Sequence, residues 1–155
     1  MFFKKRAIAD AEQFSLNSAP TVLRFFQMFV GDQAAAEALT IDTLAEHIHG
    51  SGTSSNPDAR IPLLRRALQK AVAAHVLPSR ITDPVIRAVT QLEPRRRAVI
   101  VLFRGLSLDM ATIGEITGLD QGQLRRLCFD ALEELRTLLN PARPAVPPSQ
   151  FREAR

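Results

Sequence analysis

The side chains of this 155-residue sequence that can bind a metal, attack a substrate or move a proton are few and poorly placed for such work. His47 and His49 stand two positions apart, which on a helix turns them about 200° from one another, so one ion cannot take both without unwinding. His75 and Cys128 lie far off along the chain, each at a spacing that suits a packed core position, where cysteine behaves as a small hydrophobe. No Ser/His/acid set, phosphate-cradling glycine loop or opposed carboxylate pair stands out. The expectation is therefore a protein that is not an enzyme, with no metal and no cofactor. The chemistry left is recognition. Gln121, Gln123, Arg125 and Arg126 form one cluster and Arg95, Arg96 and Arg97 another. Arginine and glutamine are the side chains that bond to guanine and adenine edges and to phosphates.

The first cluster sits in a pattern that could aim it. Residues Ile113 to Leu139 read IGEITGLDQGQLRRLCFDALEELRTLL. Ile113 and Ile116 give a first helix its inward face, and Gly118 supplies the positive φ of a tight turn. Asp120 can cap a second helix whose Leu124, Cys128, Ala131, Leu135 and Leu138 recur every three or four positions. This is the helix-turn-helix arrangement that places one helix in a DNA major groove, although plain helical hairpins share it. Three arginines at the start of a helix oppose its dipole, so Arg95–Arg97 imply a use beyond helix stability: DNA backbone contact, or docking with acidic groups of the first half.

Charge is distributed unevenly behind a net of +4. Residues 60–106 hold ten Lys/Arg against Asp83 and Glu93, whereas 1–59 and 107–139 are each net −3. A basic middle between acidic flanks suggests a polyanion contact, a partner with an acidic surface, or simply solvated helix faces. A lone cysteine excludes an internal disulfide framework, and no run is apolar enough for a signal peptide or a membrane span. A soluble cytoplasmic protein is expected.

Strand signals are nearly absent: no Trp, no Tyr, and no clean alternation of β-branched and polar residues. The fold class expected is all-α. Ser18, before Ala19-Pro20, reads as the start of a helix running to about Val30, apolar on most sides. Gly31 ends it and Asp32 caps a second, from about Gln33 to His49. In that helix Ala34, Ala38, Ile41, Ala45 and Ile48 read as the inward seam, and Gln33, Glu37, Thr40 and His47 as the wet side. Gly50–Asp58 is loop by composition. A third helix from about Arg60 turns Leu64, Leu68, Ala71, Val72 and His75 inward and Arg65, Arg66, Gln69 and Lys70 outward. Pro84 and Pro94 open two more, the latter carrying Ala98, Val99, Val101, Leu102 and Phe103. Gly105 ends it and Ser107 reads as the next cap. The organisation expected is a helical domain over 1–77, a short connector, a helix-turn-helix domain over 83–140 and a disordered Pro-rich tail over 141–155.

Several blocks in order resemble the extracytoplasmic-function sigma factors of bacterial RNA polymerase. Phe29-Val30-Gly31-Asp32-Gln33-Ala34-Ala35-Ala36-Glu37-Ala38-Leu39 is similar to the LVGDxxdAEDL segment of that family's region two, continuing through Thr40 to Thr43. Ile61 to Ala74 is similar to its PLRAWLxRIARNxA helix. Leu92 to Leu102 resembles LPxRQRAVLVL of region four, Gly105-Leu106-Ser107 its GLS, and Ile113 to Leu124 its IAEILGxSxGTV. The resemblance implies two helical domains with binding in place of catalysis. It also implies RNA polymerase core as partner through Asp32, Glu37, Leu39 and Asp42, promoter DNA through Gln121, Gln123, Arg125 and Arg126, and an anti-sigma factor as a further partner. The sequence departs from the family where Ala38 and Ile41 replace the usual Asp and Gln. Leu127, Asp130 and Leu132 likewise stand where arginines commonly line the recognition helix. A second reading stays open beside the first: a sigma-like mimic that binds a regulator without promoter DNA, with Leu127, Phe129 and Leu132 as its apolar patch.

Overall fold

The computed structural model describes residues 2–50, 59–74 and 81–141. Among them the protein is all-helical, with no strand and no helix long and apolar enough to cross a membrane. The helices are α1 (Phe2–Val30), α2 (Gln33–Gly50), α3 (Arg60–Ala73), α4 (Pro84–Gln91), α5 (Pro94–Ile100), α6 (Met110–Thr117) and α7 (Gln121–Leu139), with a π-helical turn (Val101–Gly105) following α5 directly. His75, most of the 77–82 connector, the loop after Gly50 up to Asp58 and the tail beyond residue 141 lie outside the described residues.

Local signals set most boundaries. Asp83 accepts from the amides of Val85 and Ile86, and Glu93 from that of Arg96, each just before the proline that opens its helix. Gly31 and Gly118, at φ +76° and +74°, close α1 and α6 in the left-handed conformation that a side chain would strain. The cap of α6 is Asp109, whose carboxylate accepts from the Thr112 amide at 2.9 Å. Ser107, expected in that role, instead sits two residues upstream at φ +54°.

Two expectations about the first helices need correction. α1 does not begin at Ser18; it runs back to Phe2 and passes through Pro20. Pro20 lies on the exposed side, and upstream of it Phe14 packs against the His47 ring at 5.6 Å, a contact that gives the earlier turns something to hold. α2 is rotated from the expected face. Ala36, Thr40, Thr43 and His47 are buried, while Ile41 is 71 % exposed and Ala34, Ala38, Ala45 and Ile48 lie on the outside with it. The reason is hydrogen bonding. The Thr40 and Thr43 hydroxyls donate back to the carbonyls of Ala36 and Leu39 at 2.7 and 2.6 Å, so two residues that look polar enter the core with their polar atoms satisfied. In α3 the inward face is Leu63, Leu64, Ala67 and Ala71, and Val72, expected inside, is 49 % exposed.

One hydrophobic core runs through the chain from Val22 in α1 to Ala131 in α7. Phe25, Phe26 and Phe29 form an aromatic row along α1, with the Phe25 ring 5.4 and 5.5 Å from the other two. α1 packs against α2 and α3 on one side and against α4 and the π-helical turn on another, and α3 packs against α6. The residues assigned to two segments in the sequence thus meet in a shared interior. Two glycines mark the closest approaches: a Cβ on Gly31 would lie 2.6 Å from Ile81 Cδ1, and one on Gly105 would lie 2.5 Å from Met28 Sδ.

His47 is 5 % exposed, and burial, helped by the nearby Arg66 charge, lowers its pKa from 6.5. Below pH 6.5 the unfolded chain therefore takes up a proton that the folded one resists, and stability must fall as pH drops from there towards the depressed folded value. The slope assignable to one such group reaches at most about 1.4 kcal/mol per pH unit. Urea unfolding across pH 7.5 to 5 should show this fall in the wild type and a flatter profile in His47→Gln; parallel profiles would exclude His47 as its source.

Candidate nucleic-acid and partner interface

The helix-turn-helix is built by its own sequence. Ile113 and Ile116 are buried, Gly118 turns the chain, and the Thr117 hydroxyl donates to the Ile113 carbonyl at 2.7 Å. Asp120 and Gln123 then form a reciprocal capping box: the Asp120 carboxylate accepts from the Gln123 amide at 2.8 Å, and Gln123 Oε1 accepts from the Asp120 amide at 3.1 Å. Leu124, Cys128 and Ala131 are buried, with Leu135 and Leu138 packed against the same core, as the spacing of α7 predicts. Burial raises the Cys128 thiol pKa, with Arg104 opposing it, which leaves a thiol suited to packing.

The opening turns of α7 face outward. Gln121, Arg125 and Arg126 are exposed, and none has its side chain bonded to another described residue. Gln123 is exposed too, yet its amide oxygen belongs to the capping box, so it is held at the helix start rather than free to reach outward. Further along, Phe129 is 66 % exposed, whereas Leu127 and Leu132 pack against the core, so the apolar patch that those three would make reduces to one ring.

The arginine triplet divides into three different environments. Arg95 is exposed. Arg96 reaches across to α7, with Nη1 2.7 Å from Glu134 Oε2 and Nη2 3.8 Å from Asp130 Oδ2. The Glu134 hydrogen bond, foremost among several carboxylate influences, raises its pKa. Arg97 turns inward and donates to three main-chain carbonyls: Phe29 at 3.2 Å, Thr90 at 2.5 Å and Leu92 at 3.0 Å. Its guanidinium carbon also lies 5.1 Å from the centre of the Phe29 ring. Burial pulls its pKa down, Glu93 pulls it up, and its Nε is buried without a partner among the described residues. The sequence foresaw a use for the triplet beyond helix stability. Two of its members are used inside the protein, with neither expected partner: Arg96 meets acidic groups of α7 rather than of the first half, and Arg97 meets main-chain carbonyls.

The candidate polymerase-binding residues share α2 and its first cap but not one surface. Asp32 accepts from the Ala35 amide at 2.8 Å and so caps the helix. Glu37 is exposed and accepts from Gln33 Nε2 at 2.5 Å. Leu39 is half-buried against the core, and Asp42 pairs with Lys70 of α3, which also holds Glu46 at 2.7 Å. What sequence reasoning missed is the apolar stripe on the outside of this helix: Ile41 and Ile48, with Ala34, Ala38 and Ala45 between and beside them. The periodicity was legible; its direction was not. Among the described residues no three His, Cys, Asp or Glu side chains converge as a metal site would require. No protein-family model matches the chain, and no curated protein matches it significantly.

The three arginines give a direct test of these assignments. Arg97→Gln should lose about 2–4 kcal/mol in chemical unfolding, because one change removes several charge-assisted bonds to part-buried carbonyls. Arg97→Lys should fall between, since a single ammonium cannot serve three divergent acceptors. Arg95→Gln should stay within about 0.5 kcal/mol of wild type. Equal effects at positions 95 and 97 would contradict the inward placement.

Proposed function

We propose that the protein is a divergent sigma-type transcription initiation factor that binds RNA polymerase core and presents α7 to promoter DNA. The observation that carries this reading is the helix-turn-helix, fully capped and tightly turned, with Gln121, Arg125 and Arg126 exposed on the first turns of its second helix. Groove-reading helices place their contacts at those positions. The exposed stripe of α2 adds support. A row of small and branched apolar residues flanked by Glu37, Asp42 and Glu46 suits packing against a partner helix with basic edges, in the segment where the resemblance expects polymerase contact. On this reading Asp32 and Leu39 hold α2 in place, and Ile41 and Ile48 with Glu37 and Asp42 make the contact.

One observation favours the second reading, a sigma-like protein that binds a regulator and leaves DNA alone. Arg96 and Arg97 are engaged by the protein itself, and α7 carries Asp130, Glu133 and Glu134 behind Arg125 and Arg126, so attraction to phosphates is modest. The two readings separate in a reconstitution. Purified protein, polymerase core from its own cell and a pool of genomic promoter fragments should give a ternary complex that neither protein alone gives with DNA. Arg125→Ala and Arg126→Ala should each weaken it about tenfold, the scale of one good base contact, and exposed Arg136→Ala should not. Ile41→Asp should abolish core binding without unfolding the protein. Capture of core polymerase without any gain in DNA binding would favour the mimic, and absence of polymerase association would refute the sigma reading.

A further inference from the structure

Two clefts open where the chain's two halves meet, and their walls differ in charge. The larger, between the end of α1, the start of α2 and the start of α4, sets Asp32 and Asp83 on the same walls as Arg24 and so presents both signs. The smaller, of about 300 Å³, is lined by Thr21 and Arg24 from α1, Arg60 at the start of α3, Gly105 at the end of the π-helical turn and Ser107 just beyond it. Its only charged side chains among the described residues are the two arginines. Arg65, Arg87, Arg96 and Arg97 all find carbonyl or carboxylate acceptors elsewhere in the molecule. Arg24 and Arg60 are exposed and have no ion pair with any described residue.

The backbone around the cleft has two further features in the same sense. Ser107 is the one non-glycine residue at positive φ among those described, and such strain persists at ligand-binding positions more than elsewhere. It follows a π-helical turn, itself a device found at functional sites. Arg60 itself stands on the first turn of α3, the end at which the helix dipole is positive. Two guanidiniums without an ion pair among the described residues, together with two hydroxyl-bearing residues, form a setting for a doubly charged oxyanion. A volume of about 300 Å³ leaves room for a phosphoryl or diphosphate group.

We propose that this cleft binds the phosphoryl group of a small phosphorylated ligand, held between Arg24 and Arg60 with Thr21 and Ser107 as hydroxyl partners. Because the walls come from α1, α3 and the 105–107 segment, the occupied site ties the two halves together. Ligand binding then stabilises their joined arrangement by mass action. The proposal stands independently of the sigma-type reading.

The test uses the full chain and pyrophosphate as probe, with inorganic phosphate and ionic-strength-matched chloride alongside. Calorimetry should show saturable pyrophosphate binding, and thermal unfolding a rise in Tm that chloride does not give. The double variant Arg24→Gln/Arg60→Gln should keep the unliganded Tm, since both side chains are exposed, and bind pyrophosphate at least tenfold more weakly. Ser107→Asp, which tolerates the left-handed backbone, should abolish the response by placing a carboxylate in the cleft. Absence of saturable binding at millimolar pyrophosphate, or equal binding by the double variant, would overturn the proposal. A short DNA duplex that binds through Arg24 and Arg60 while pyrophosphate neither binds nor competes would also overturn it, assigning the site to a nucleic-acid backbone.

Discussion

Arg97 is the contact on which the arrangement of the two halves turns. Its three acceptors are the carbonyl of Phe29 one residue before the end of α1, that of Thr90 one residue before the end of α4, and that of Leu92 in the link to α5. The last carbonyls of a helix have no partner within it and carry the negative end of its dipole. A guanidinium, with five donors in a rigid fork, can serve two such ends at once, and its flat face can lie over the Phe29 ring while it does so. The cost is desolvation, visible in the lowered pKa and in the buried Nε that finds no acceptor. Removal of the fork would leave part-buried carbonyls open in the joint where the aromatic row of α1 meets α4 and α5.

The same logic accounts for the uneven charge of the sequence. The basic middle segment does not form one bare polycationic face. Lys70 holds Asp42 and Glu46 of α2, Arg96 holds Glu134 and Asp130 of α7, Arg65 donates to the Glu115 carbonyl at the end of α6, and Arg87 to that of Ile81. Much of the acidic surface expected in a partner belongs to the chain's own flanks. Asp130 of α7 thereby has its partner within the chain. These exposed pairs each contribute little to stability. Their effect is on which helix faces meet, since a wrong pairing would oppose like charges.

How far the sequence was legible depended on whether the deciding forces were local. Capping, proline placement and left-handed glycines act within four residues, and the reading of α4, α5, α6 and α7 from Pro84, Pro94, Gly118 and Asp120 agrees with the structure for that reason. The cap of α6 failed only by two residues, because Asp109 competes with Ser107 and an ionised carboxylate is the stronger acceptor. The face of α2 depended on something non-local. Alanine and isoleucine at helical spacing look like a core seam, but the opposite side offers Leu39, Leu44 and threonines whose hydroxyls satisfy themselves on the backbone. Side-chain polarity alone could not rank the two faces. The candidate site divided along the same line: the exposed start of α7 followed from its cap and period, whereas the inward turn of Arg97 required knowing what lay across the joint.

A continuous core constrains any working mechanism. If the halves were to part, Phe29, Val30, Val89, Leu92 and Val99 would lose apolar cover, at roughly 25 cal/mol for each Å² newly wetted, and the Arg97 carbonyls would open as well. A partner that separates the halves must therefore cover that apolar row and supply donors for the helix ends, which asks for a surface combining aliphatic and cationic side chains. A partner that leaves them joined meets surface that is outside already, to which the α2 stripe and the start of α7 belong. Either way the contact surface is set by what Arg97 keeps together, and the strength of that joint fixes the free energy a partner must provide to change it.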